Sequence, residues 1–162
     1  MAASDGYQVV VLGACCAGKT TLSGLLATDL PVVECDEAVL ALAGGDWPAD
    51  LDENHRLVVQ VAEEALARDE VVLITSFVPT DRLRSARAAG AVVVLLDVPR
   101  PELERRNRER AASGGRGDMS HWFDEQLATY AGQVVAGLID VVLDATDPPS
   151  ALARAVRSLA AR

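Results

Sequence analysis

Two apolar patterns alternate along the chain. Short runs rich in valine and leucine, at Tyr7–Leu12, Val32–Cys35, Val71–Phe77, Ala91–Val98 and Ile139–Asp144, have the continuous character of strands buried on both faces. Between them lie longer segments with apolar residues every three or four positions. In Glu53–Arg68 these are Leu57, Val58, Val61, Ala62, Ala65 and Leu66, which predicts an amphipathic helix. Helices are likewise predicted over Thr20–Thr28, Asp36–Ala43, Thr80–Ala89, Pro101–Ala112, Met119–Gly137 and Ser150–Ala161. Gly44-Gly45 and Gly90 act as stop signals, and Pro101 suits a first helical turn. Asp46–Asp52, with Trp47-Pro48, reads as a loop, and Ser113–Asp118, with three glycines, as a mobile one. Strands alternating with helices predict an α/β fold, a five-stranded parallel sheet with helices on both faces.

Length and composition narrow the class. The 162 residues fit one domain and leave no room for a second. Half are hydrophobic and only 4% aromatic, so the core must be aliphatic. A net charge of −9 argues against a broad nucleic-acid surface, though not against a small anion in a locally basic cleft. No apolar run reaches the roughly 18 residues of a membrane span. Met1–Gly6 lacks a secretory signal, which predicts a cytoplasmic protein. Three cysteines make neither a disulfide framework nor a metal-ligand spacing.

The fifteen basic residues are fourteen arginines and one lysine, Lys19. That lysine lies in Gly13-Ala14-Cys15-Cys16-Ala17-Gly18-Lys19-Thr20, a P-loop between the first predicted strand and the first predicted helix. The glycines let successive N–H groups point at phosphates, and the helix N-terminus adds positive character. Lys19 is placed to reach the β- and γ-phosphates, and Thr20 to ligate Mg²⁺. Gly13 to Thr21 is the expected binding segment for ATP. Cys15 and Cys16 admit a redox reading, since thiols at a helix N-terminus acidify, but small residues filling a tight turn is the preferred one.

The P-loop, the pair Glu34-x-Asp36, the loop at Gly44–Asp52 and the arginine-rich helix leading into a glycine loop are similar to the small-molecule kinases of the shikimate kinase and gluconate kinase type. The resemblance covers nearly the whole chain in element order. It implies a sheet in the order 2-3-1-4-5, a substrate-binding helical region after strand 2 and a lid around 105–118. It further implies that Glu34 helps hold the Mg²⁺ shell and that Asp36 orients and deprotonates the acceptor hydroxyl. Read alone, Asp36 could also cap the following helix. The third strand ends in Ser76 without a Walker-B acid; this suits the same kinases, with the Ser76 hydroxyl facing substrate or γ-phosphate. By resemblance, Arg110 would stack on adenine, Pro148 lie beside it, and Arg116 neutralise transition-state charge from the lid.

Arg56 and Arg82 are candidate cations for an acidic acceptor, because arginine grips carboxylate and phosphate bidentately. The plain alternative for each is an ordinary surface arginine. Asp124–Thr129 is faintly similar to the gluconate type, but the acceptor stays open among sugar acids, polyols, nucleosides and antibiotic hydroxyls. The reading is thus an ATP- and Mg²⁺-dependent kinase of a small-molecule hydroxyl, monomeric or homodimeric, with no nucleic-acid or membrane partner. The alternatives are a nucleoside monophosphate kinase and a non-catalytic ATP-binding regulator. A GTPase is excluded because its guanine-reading Asn-Lys-x-Asp element needs a second lysine.

Overall fold

A computed structural model describes residues 6–162. Met1–Asp5, most of the segment read for a leader signal, lie outside the described residues. The strands are β1 (Gln8–Gly13), β2 (Val32–Glu34), β3 (Val71–Thr75), β4 (Val92–Asp97) and β5 (Val141–Asp144). They form one all-parallel sheet in the order β2-β3-β1-β4-β5. The helices are α1 (Lys19–Leu26), α2 (Cys35–Leu42), α3 (Leu51–Leu66), α4 (Thr80–Ala88), α5 (Arg100–Ala112), α6 (Phe123–Val135) and α7 (Pro149–Ala160). None is long and apolar enough to cross a membrane.

The valine runs become the middle of the core. Val9, Val10, Val11 and Leu12 of β1 are fully buried between β3 and β4, as are Val71–Ile74 and Val93–Val94. Each such side chain contributes about 1.5–3 kcal/mol relative to exposure. A strand order that reverses beside β1 opens a crevice at the carboxyl ends of β1 and β3, where open α/β sheets place their ligands.

One predicted helix is divided. Met119–Gly137 begins as a 3₁₀ turn, Ser120–Trp122, before α6 starts at Phe123. The cause is a polar clamp from α5. Buried Asn107 accepts from the Met119 amide (2.9 Å) and donates to Asp118 (2.7 Å), while Asp118 also accepts from the Ser120 amide (2.9 Å). These bonds pull the Asp118 carboxyl down to about 2. They also tie the C-terminal end of the Ser113–Asp118 loop back onto α5. Asn107→Ala is expected to cost about 2 kcal/mol, because it strands a buried amide and frees the loop. Urea melts would read the loss, and trypsin cleavage after Arg116 should accelerate. Unchanged values on both would show that the clamp contributes nothing.

A candidate phosphate-transfer site

Gly13–Thr20 leaves the carboxyl end of β1 and turns into α1. Gly13 sits tightly, since a Cβ there would lie 3.2 Å from the Ala17 Cβ and 3.3 Å from that of Leu96, so a neighbour would have to give by a few tenths of an ångström. Gly18 holds φ +94°, and Cys16 holds φ 68°. Cys16 therefore keeps a left-handed backbone that costs a side chain of its type of order 1 kcal/mol, the sort of strain found at ligand-cradling loops. The loop bounds a cavity of about 370 Å³ that is also lined by Lys19, Thr20, Thr21, Asp36, Arg106, Arg110 and Arg116.

Lys19 is buried, its Nζ donating to the Ala14 carbonyl at 2.8 Å. Burial lowers its pKa, and the neighbouring Cys15, Asp36 and Glu34 pull it back up. The ammonium thus rests on the loop where a phosphate would otherwise meet it. Arg106 has a supporting place that sequence reasoning left among the lid arginines. It bonds Glu102 (2.7 Å) and the Ala145 carbonyl (2.8 Å), and reaches the Cys16 and Ala17 carbonyls (3.4 Å each). Its i, i+4 spacing from Arg110 was the available signal. Arg110 is left facing the cavity, 4.0 Å from the Cys16 sulfur. Pro148 caps α7 just beyond Ala145, exposed and outside the cavity lining.

A second cavity of about 460 Å³ adjoins the first. Cys15, Asp36, Arg116 and Met119 line both. Arg116 donates to Asp36 at 2.9 Å and lies 4.4 Å over the Trp47 ring. Ser76 lines this cavity too, its carbonyl accepting from Tyr130 at 2.6 Å. So does Gln126, whose Oε1 accepts from the Cys15 amide (2.9 Å), fixing the P-loop from α6. The only sequence signal for Gln126 was its place in Asp124–Thr129, the segment faintly similar to the gluconate type.

The acid roles are redistributed. Glu34, not Asp36, caps α2, accepting from the Glu37 amide at 3.0 Å, and this leaves Asp36 free for Arg116. The other oxygen of Glu34 is buried without a partner, and burial, then Asp36, raises its pKa. An orphaned carboxylate oxygen and the exposed Thr20 hydroxyl suit Mg²⁺, which needs one or two protein oxygens and takes the rest from phosphate and water. Glu34 itself does not line the phosphate cavity. Among the described residues no cluster of three or more acids, histidines or cysteines forms a metal site.

Glu34→Gln keeps the cap and removes the buried charge. The penalty of that charge is absent below the ordinary glutamate value of 4.5 and complete above the raised folded value. The variant should therefore be about 1 kcal/mol more stable at pH 7.5 and unchanged at pH 4, as read by thermal melts. A loss of stability at pH 7.5 would contradict this.

Two predicted acceptor cations lie elsewhere. Asn54 and Val58 face the second cavity, so Arg56, two positions from each, turns to solvent beside Glu53 (3.9 Å) and Gln60 (3.5 Å). Arg82 pairs with Glu63 at 2.9 Å in a separate groove between α3 and α4. Neither lines the crevice.

No protein-family model matches the chain, and no curated protein matches it in sequence. Solved structures do. Shikimate kinase from Bacteroides thetaiotaomicron superposes with TM-score 0.71 at 16% identity, covering 94% of this chain and 97% of that one. A gluconokinase from Sinorhizobium meliloti 1021 gives 0.63 at 20% identity, over 97% and 93%. A sugar kinase from Janibacter sp. HTCC2649 gives 0.65 at 22% identity, over 95% and 94%. The chain has the P-loop α/β fold of the shikimate kinase and gluconokinase type.

Proposed function

We propose that the protein is an ATP-dependent small-molecule kinase that transfers the γ-phosphate to a hydroxyl. The observation that carries this is the shared wall: Asp36 and Arg116 belong at once to the phosphate cavity and to the cavity beside it. A nucleotide binder without an acceptor has no use for the second space. The solved kinases of the same fold support the reading.

In this scheme the P-loop amides and Lys19 hold the triphosphate with its terminal group toward the second cavity, and Arg110 stacks on the adenine. Thr20 and Glu34 would hold Mg²⁺, which offsets phosphate charge when bound. Asp36 accepts a hydrogen bond from the acceptor hydroxyl and aligns it. As the acceptor oxygen bonds to Pγ, the bond from Pγ to the bridging oxygen breaks and its electron pair leaves on ADP. The hydroxyl proton passes to the Asp36 carboxylate and then to water. Asp36 need not be a strong base, since alignment supplies most of the effect. Arg116 exchanges Asp36 for the charge growing on the transferred group.

ADP release with Mg-ATP against sugar acids, polyols, nucleosides, nucleoside monophosphates and aminoglycosides tests the reading, with Lys19→Ala as the blank. Stimulation by one class, lost in the blank, establishes a kinase. Silence across acceptors that demonstrably bind, with ATP bound, points to an ATP-binding regulator instead.

A further inference from the structure

Both tryptophans of the chain, Trp47 and Trp122, line the cavity beside the P-loop. They come from separate segments, the loop before α3 and the 3₁₀ turn before α6. In a protein with 4% aromatic residues, their convergence on one cavity is an uncommon concentration of flat apolar surface.

The charge count in the cavity points the same way. Its single guanidinium, Arg116, is already bonded to Asp36 at 2.9 Å. The remaining thirteen arginines and Lys19 are not among its lining residues, and His121 brings an imidazole rather than a fixed charge. An anionic acceptor would have to take Arg116 from Asp36 and then face that carboxylate, because no other lysine or arginine lines this cavity.

A third observation concerns hydrogen bonding. The Oδ1 of Asn54, another lining residue, is buried with no partner. An orphaned amide oxygen calls for a donor, which a second hydroxyl of the acceptor supplies.

We infer that the acceptor is a neutral alcohol carrying an apolar ring and a second hydrogen-bond donor. The ring packs against the tryptophan surfaces that Arg116 leaves uncovered, one hydroxyl meets Asp36, and the second donor meets Asn54. This rests on the kinase reading for the transfer step, but the binding claim stands on the cavity alone. It departs from the recognition of a sugar acid.

Intrinsic fluorescence of the two tryptophans gives a readout independent of turnover. The probe is 1-phenyl-1,2-ethanediol, and its control is mandelate, the same molecule with a carboxylate in place of the CH₂OH group. Shikimate and gluconate complete the set. The diol is expected to give a saturable fluorescence change and to bind at least about tenfold more tightly than mandelate, a step of the size one unpaired charge or lost donor produces. Trp47→Ala, at an exposed position, should weaken the diol by about the same factor. Equal or tighter binding of mandelate, shikimate or gluconate overturns the inference while leaving the kinase reading intact. No binding of the diol at millimolar concentration overturns it too. Diol binding without ADP release supports the cavity assignment and counts against the kinase reading alone.

Discussion

Lys19→Ala is expected to lower acceptor-dependent ADP release roughly a thousandfold, the cost of removing one preorganised charge from a water-poor phosphate site. The position leaves no substitute. Lys19 is 7% exposed and is the only lysine in the chain. Arg110 and Arg116 approach the cavity from α5 and the Ser113–Asp118 loop rather than from within the P-loop. Lys19→Arg should fail nearly as badly. A planar guanidinium is larger than the enclosed ammonium and cannot act as a compact point charge. The variants should fold, because the alanine change removes a buried ammonium and leaves the P-loop backbone intact. A circular-dichroism melt checks that point. Turnover within threefold of the native enzyme would move the phosphate site elsewhere.

Arg116→Ala is expected to cost a comparable factor in kcat, on the order of a thousandfold, with KM for ATP changed only a few-fold. Its resting contacts are modest. The pair with Asp36 and the stack on Trp47 are partly exposed, and each contributes about 1 kcal/mol or less. The fold should therefore survive the change. On the proposed mechanism, what is lost is a charge delivered only when the transferring group develops its own. Arg116→Lys should recover little, since lysine neither stacks flat on Trp47 nor offers a fork. Arg105, paired with Glu102 and Glu109 on the outer face, supplies the control, and Arg105→Ala should leave kcat unchanged. If Arg116→Ala raised KM for the acceptor and spared kcat, Arg116 would be a binding residue instead.

The elements were legible because each obeyed one local rule. Continuous valine runs became β1, β3 and β4, and the period of Glu53–Arg68 became α3 with a shift of two residues. The strand order came from family resemblance and agrees with the sheet, whereas no local pattern encodes it. Failures fell where partners are distant in sequence. The 3₁₀ turn before α6 depends on Asn107, a residue of α5. Capping falls to Glu34 rather than Asp36 because α2 starts at Cys35, one residue earlier than predicted, which puts Asp36 inside the first turn. Arg56 was a candidate for its chemistry, but helical phase decides which way it faces. The convergence of Trp47 with Trp122 was invisible because the two belong to segments far apart in sequence.

The sheet order also has a consequence for how the chain matures. Val9 of β1 pairs with Val72 on one side and Val92 on the other. The central strand is therefore synthesised first, yet neither of its neighbours is local. During translation β1 must wait for β3 and then for β4 before its flanks are covered, as a bare and highly apolar ribbon. The P-loop hangs from the carboxyl end of that ribbon, and Gly13 packs on Leu96 of β4. A chain stalled before residue 97 would thus carry the whole phosphate-binding motif without the wall that shapes it. Nucleotide affinity should appear late and abruptly along the nascent chain, and a strand able to aggregate is exposed until then.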